Sequence, residues 1–329
     1  MLGVGILGAG FFGGYHARAI KAAKGARLVA VCADEQGLAD GFAAEHGGTP
    51  YTDWRRLIDD HAVEAIAITA PHHLHAPFAI AALEAGKHVL LEKPMALDVA
   101  ECSAIIAAGE KSGSKLMVGQ IMHFALPCLK AREIIDSGDL GRPITGSSWL
   151  LKTWMESNRR GWHLDPACGG GMLMTAGIHA LDRLVWLMDG RVASVSAAMS
   201  TAFHDQKADD SAMLLLRFDD GRFGQVASIG YRDGAGSFAM DLVCEHGTIR
   251  IDFARGVSVG RGEGWVDIAG SVDPNWMQNG IIREWQTMVD VVDNGAAIPV
   301  TGDRGRHIIA CIEAAKTSSM ERRDVIVGA

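Results

Sequence analysis

Residues 3–13 read Gly3-Val4-Gly5-Ile6-Leu7-Gly8-Ala9-Gly10-Phe11-Phe12-Gly13. An apolar run of strand length passes directly into three glycines at G-x-G-x-x-G spacing, and Ala17 and Ile20 then continue at helical spacing. Leu28-Val29-Ala30-Val31 supplies a second buried strand. Strand, glycine turn, helix, strand is the unit that cradles a dinucleotide. Gly8 allows the tight turn, Gly10 lets a pyrophosphate approach the backbone, and Gly13 permits close packing of helix on strand. The phosphates then lie at a helix N-terminus, where free N–H groups and the macrodipole favour negative charge. Glycine is abundant in this chain, at 40 residues, so the placement between strand and helix decides the reading rather than the spacing.

The alternation continues outward from this unit. Residues 63–70 read as a strand ending at Pro71, 76–85 as a helix closed by Gly86, and 88–91 as a strand ending in Glu92-Lys93-Pro94. A helix over 99–109 and a strand over 115–119 follow. Strands separated by helix-length segments imply a doubly wound parallel sheet, the α/β Rossmann architecture. Ligands of such sheets bind beyond the carboxyl ends of the strands, where Ala70, Pro71, His72, His73, His75, Glu92 and Lys93 fall. Asp34, past the second strand, is placed to bond a ribose 2′-hydroxyl and repel a 2′-phosphate; with no basic residue before Arg55, the expected cofactor is NAD, with NADP the alternative. Phe11 and Phe12, inside the glycine motif, complete the expected cofactor set.

Length and composition bound the remaining possibilities. At 329 residues the chain exceeds a single ordinary core, so two domains are expected. Net charge is −8 with acids and bases interspersed, which leaves no basic surface to track a phosphate backbone, so nucleic acid is not an expected partner. Six cysteines without a CxxC pair read as reduced packing residues. Residues 2–15 mimic the centre of a signal peptide. They have no basic residue before Arg18 and are too short to span a bilayer, so a cytoplasmic protein without membrane partners is expected. His72, His73 and His75 lack a supporting carboxylate or cysteine at ligand spacing, so no metal is expected; they read as a helix start beside the cofactor, with His75 nearest the nicotinamide.

The string GAGFFG, TAPHHLH at 69–75, EAGKHVLLEKP at 84–94 and GGGMLMTAGIHALD at 169–182 together resemble the glucose-fructose oxidoreductase, inositol dehydrogenase and MocA (Gfo/Idh/MocA) family, in the right order over nearly the whole chain. The resemblance implies a Rossmann domain over residues 1–122 and an α+β domain over 123–329 with a large, open, mostly antiparallel sheet, assembled as a homodimer or homotetramer. Strand-like runs at 145–154, 192–200, 211–218, 222–230, 238–245 and 248–253, joined by turns such as Asp220-Gly221 and His246-Gly247, agree with it independently.

The resemblance also assigns the chemistry to the lysine of the EKP motif, Lys93, and the histidine of the GxH segment, His179. Hydride transfer from an alcohol needs a group to accept the hydroxyl proton, a role that suits a histidine, while a lysine at a strand end can hold the substrate oxygen or, desolvated, act as base. Residues 174–188 are apolar at helical spacing, with Ile178, Leu181, Leu184, Val185 and Met188 as core. Thr175, His179 and Asp182, at i, i+4 and i+7, share another face, from which Asp182 can orient the imidazole. Two positions depart from the family pattern. Thr175 stands where many members have an aspartate, which puts the proton-transfer load on Lys93 and His179; Ala33 stands where the cofactor-selecting acid is most common, with Asp34 one place later.

The stretch 149–163 carries Trp149, Trp154, Trp162, Arg159, Arg160 and His163. Aromatic faces beside hydrogen-bond donors suit a sugar, polyol or cyclitol. Arg160, Trp162 and His163, with Thr175 and His179, form the expected substrate set, whereas Trp149 and Trp154 read as core or interface residues. Three functions follow: an NAD(P)-dependent dehydrogenase of a small hydroxylated substrate, an oxidoreductase of a carboxylated or ring-containing molecule, and a non-catalytic dinucleotide sensor.

Overall fold

The computed structural model describes residues 1–262 and 264–328. Contacts divide it into two units, 1–124 with 277–306, and 125–276 with 307–328. The first unit thus takes in a late segment that a single cut near residue 122 leaves out.

In the first unit β1 (Leu2–Leu7), β2 (Ala26–Cys32), β3 (Thr49–Tyr51), β4 (Ala65–Ile68), β5 (His88–Glu92) and β6 (Leu116–Gly119) form a parallel sheet in the order β3-β2-β1-β4-β5-β6. The central strands are apolar on both faces because helices cover both, and Val4, Ile6, Ile66, Ile68, Leu90 and Leu91 are fully buried. The crossovers contain α1 (Phe11–Ala22), α2 (Gln36–His46), α3 (Trp54–Ile58), α4 (His75–Glu84) and α5 (Val99–Ser112). Asp98 starts α5 by accepting from the Glu101 amide, and Gly113 ends it at φ +72°, a conformation glycine adopts without strain. The strand expected over 63–70 is confined to Ala65–Ile68; Thr69, just past its end, donates its amide to the Leu7 carbonyl and its hydroxyl to the glycine turn.

The second unit is built on a nine-stranded sheet. Its strands are β7 (Pro143–Thr153), β8 (Val192–Ser200), β9 (Ser211–Phe218), β10 (Phe223–Tyr231), β11 (Ser237–Cys244), β12 (Gly247–Asp252), β13 (Gly256–Arg261), β14 (Gly264–Asp267) and β15 (Val325–Ile326). Their order is β14-β13-β12-β11-β7-β10-β9-β8-β15. All pairings are antiparallel except β7 with β10 at its centre. The remaining α-helices of the described residues are α6 (Leu126–Asp136), α7 (Ile178–Met188), α8 (Trp276–Asn294) and α9 (Gly302–Glu321). Helix α7 lies across β7 and β10, where Gly146 and Gly224 leave room for Leu184; a Cβ at Gly146 would stand 2.8 Å from its side chain. Alternation on β9 buries Ala212, Leu214, Leu216 and Phe218 and turns Met213 and Leu215 outward.

All six cysteines are free thiols, five of them buried, so they fill the interior and bridge nothing. Among the described residues no helix is long and apolar enough to cross a membrane.

Candidate functional site

The glycine motif forms the tip of the first unit's sheet. Gly8 lies at φ +118°, and a Cβ on Gly13 would stand 2.2 Å from the Gly8 carbonyl oxygen, so helix and strand approach more closely than any side chain permits. The Thr69 hydroxyl donates to that same carbonyl at 2.8 Å and locks the turn onto the end of β4. Gly10 precedes α1 with no side-chain cap, no acid occupies the first turn, and a Cβ there would meet no atom within 4 Å. An uncapped helix start facing open space, with Phe11 exposed beside it, fits a bound pyrophosphate. At the end of β2, Ala33 is buried and Asp34 is exposed. Burial, reinforced by the carboxylates of Asp53 and Asp34, pushes the Cys32 thiol up to about 11, so two acids crowd this strand end. Such a surface suits a ribose hydroxyl and opposes a 2′-phosphate.

The carboxyl end of β5 carries Glu92 and Lys93, which are 5% and 9% exposed, and the Lys93 ammonium lies 5.6 Å from the centre of the Phe12 ring. Polar contacts hold the corner from two sides. Glu92 accepts from the His16 ring at 2.9 Å and from the Lys93 amide at 3.2 Å. His75 sets one ring nitrogen against the Pro94 carbonyl at 2.7 Å and the other against the Ala70 carbonyl at 2.9 Å. Both carbonyls and Glu92 favour an imidazolium, but complete burial outweighs them, aided by the Lys93 charge, and holds His75 below its ordinary range. His75 therefore sits buried between the 69–75 segment and the Lys93-Pro94 turn, where its neutral ring carries one N–H and donates to one of the two carbonyls at a time. Pro71 is the last residue before the helical turn His72–Leu74 that leads into α4.

In the second unit the segment 161–177 supplies the other candidates. His163 is buried and stacks on Trp162 at 3.6 Å between ring centres. A Cβ on Gly170 would stand 2.5 Å from the His163 carbonyl oxygen, so the glycine run packs directly against this pair. Arg160 is exposed and donates to the carbonyls of Ser157 and Arg159. Trp154 belongs to the core: it is fully buried, donates to Gln206 at 2.8 Å, and carries the Arg159 guanidinium 4.3 Å above its ring. Trp149 is bonded to Ser237.

His179 is the second residue of α7, and Thr175 lies in a π-helical turn, Leu173–Gly177, that precedes it. The spacing of Thr175 from His179 is therefore not that of a regular α-helix, and Thr175 and Asp182 are buried rather than on a polar face. Ile178, Leu181, Leu184, Val185 and Met188 occupy the core as their periodicity predicts. Asp209, which sequence reasoning did not single out, starts this helical run. Its carboxylate accepts from the Leu173 amide at 2.9 Å, its carbonyl from the Met172 amide at 2.8 Å, and a Cβ on Gly171 would stand 2.2 Å from its oxygen. Burial, helped by Asp210 and opposed by the Leu173 amide and Lys316, raises Asp209 to about 6.

Comparison with known proteins follows the same division. A family model described as an oxidoreductase family with an NAD-binding Rossmann fold matches residues 2–120, and the Gfo/Idh/MocA C-terminal domain model matches 128–250. The chain is 34% identical over 205 residues to a 1-carboxy-3-chloro-3,4-dihydroxycyclohexa-1,5-diene dehydrogenase of Comamonas testosteroni, a stretch covering 62% of this chain and 50% of that protein. It is 30% identical over 226 residues to inositol 2-dehydrogenase 2 of Saccharopolyspora erythraea, covering 67% and 64%. The matches thus span about half to two-thirds of these relatives. The solved structure of levoglucosan dehydrogenase in complex with NADH and levoglucosan shares the fold, with a TM-score of 0.89 at 24% identity and 100% of both chains covered. With both halves of the chain matched in order, the protein belongs to the Gfo/Idh/MocA oxidoreductase family.

Proposed function

We propose that the protein is an NAD-dependent dehydrogenase that moves a hydride between the nicotinamide and a hydroxyl or carbonyl carbon of a sugar, polyol or cyclitol. The observation that carries this reading is the union, in one unit, of an open glycine cradle at the start of α1 with a buried lysine at the end of β5. Gly8, Gly10, Phe11, Phe12, Gly13, Asp34, Ala70, Pro71, Glu92 and Lys93 hold the dinucleotide, and His75 shapes its floor through Ala70 and Pro94. Bound NAD would supply the hydride acceptor. Lys93 holds the substrate oxygen, His179 takes the hydroxyl proton, and Arg160, Trp162, His163 and Thr175 position the substrate. The N-terminal unit serves the cofactor and the sheet-bearing unit serves the substrate.

A second reading has its own support. Thr175 removes a carboxylate that would repel an anionic substrate, and the relative from Comamonas is named for a carboxylated, dihydroxylated ring. A panel of sugars, cyclitols and carboxylated cyclic diols, followed by NADH and NADPH absorbance, separates the two. Turnover confined to the carboxylated diols selects the second reading, and tight dinucleotide binding with no turnover selects a sensor. Lys93→Ala is expected to lower turnover about a hundredfold or more. Near-wild-type rates in that variant remove Lys93 from the mechanism.

The free thiols support a reducing, cytoplasmic setting. Exposed Met213, Leu215, Phe223 and Val243 on the outer side of the sheet support a homodimer or homotetramer closed through that surface, which light scattering after size-exclusion chromatography measures directly.

A further inference from the structure

The corner at Lys93 is completed by a residue from the far end of the chain. Helix α8 brings Trp285, fully buried, against α1, and its indole nitrogen lies 3.0 Å from Nδ1 of His16, the two rings meeting edge-on at 90°. An indole N–H only donates, so Nδ1 of His16 accepts and the ring proton sits on Nε2. That Nε2–H points at Glu92 Oε1, 2.9 Å away, while the other Glu92 oxygen accepts from the Lys93 amide. Donors therefore run in one direction, indole to imidazole to carboxylate, and the carboxylate closes on the backbone of the lysine.

We propose that Trp285 is a positioning residue for Lys93: it fixes the tautomer of His16, His16 orients Glu92, and Glu92 holds the backbone from which the lysine ammonium is presented. The proposal rests on the dehydrogenase reading for its kinetic consequence but not for its structural one.

The residue before Trp285 supports the assignment. Glu284 is also fully buried, and neither of its carboxylate oxygens has a hydrogen-bond partner among the described residues. Burial, and then the nearby charge of Glu92, raises its carboxyl well above the ordinary range. Burial thus favours the neutral form of Glu284 beside Glu92, the carboxyl group that accepts from His16 and from the Lys93 amide.

The decisive measurement is nitrogen NMR of the His16 ring in the full-length protein, assigned with His16→Gln. The expected spectrum shows an unprotonated Nδ1 and a protonated Nε2, and Trp285→Phe, which keeps the apolar ring and removes the donor, shifts Nδ1. The same variant is expected to lower kcat about 10–100-fold with the KM for NAD little changed, the size typical of losing a supporting hydrogen bond behind a working group. His16→Gln, which keeps an N–H for Glu92, should retain more activity than His16→Ala. Labelling of Lys93 by trinitrobenzenesulfonate, read by mass spectrometry, should change rate in Trp285→Phe and revert toward wild type in Trp285→His, which restores a ring donor. Glu284→Gln should remove the infrared carbonyl band of a protonated acid. A native Nδ1–H tautomer, or labelling and kcat indifferent to Trp285→Phe, overturns the proposal. If instead no substrate is turned over and Lys93→Ala changes nothing, the dehydrogenase reading falls while the tautomer and labelling results still decide the positioning.

Discussion

Lys93 and His179, the two residues proposed to carry the chemistry, are held in place by different means. The Lys93 corner is tied by polar side chains: His75 lies between carbonyls of two segments and Glu92 accepts from His16. The helix that carries His179 is seated by close backbone packing, through glycines at 171 and 177, and by one carboxylate at its start. A Cβ on Gly177 would stand 2.2 Å from the Ser228 hydroxyl, so the π-turn lies directly on β10. Hydrogen bonds fix direction, whereas close packing fixes position. A flexible lysine chain gains most from the first, and a stiff imidazole near a helix start gains most from the second.

That contrast can be broken first at Asp209. Its folded-state value, about 6, lies above that of an unfolded aspartate, so the protonated form favours folding. This stability is complete below about pH 4 and is lost as pH rises through about 6, amounting to about 3 kcal/mol at most. Asp209→Asn, which keeps an oxygen for the Leu173 amide, should therefore be the more stable protein at pH 8 and no different at pH 4. Urea unfolding at the two pH values checks it, and a variant less stable at pH 8 would mean that the ionised carboxylate anchors the helix.

His75→Ala tests the polar side. Burying the Ala70 and Pro94 carbonyls without the ring is expected to cost about 2 kcal/mol, with a fall in kcat exceeding any change in the dinucleotide Kd. Thermal unfolding and NADH fluorescence titration separate those effects. The smallest expected change is Thr69→Val, which removes the hydroxyl that donates to Gly8 and should cost about 1 kcal/mol while weakening NADH binding modestly. If Thr69→Val abolishes binding outright, the glycine turn depends on its hydroxyl latch far more than on its own conformation.

The glycine turn and the alternation of strands and helices were legible because each rests on local spacing. So were the strands from β7 to β12, whose alternation and turn pairs read directly, and the buried face of α7. The π-turn before His179 was not, since Leu173–Gly177 has the composition of ordinary helix and only its packing on β10 sets it apart. Asp209 and Glu284 were also invisible. A buried carboxylate carries the same letter as a surface one, and nothing in the periodicity of residues 276–294 shows which chain segment α8 will meet. Strands β13 and β14 escaped because Gly256, Gly260, Gly262 and Gly264 interrupt any alternating run.

The arrival of α8 against α1 sets a timetable for biosynthesis. All six strands of the parallel sheet have been made by residue 119, yet the indole that sets the ring of His16 is number 285. At ordinary ribosomal speeds roughly 10–40 s separate Lys93 from Trp285. The glycine motif and Lys93 are therefore synthesised well before the indole that donates to His16, so the hydrogen-bond chain from Trp285 to the Lys93 backbone can close only late in synthesis.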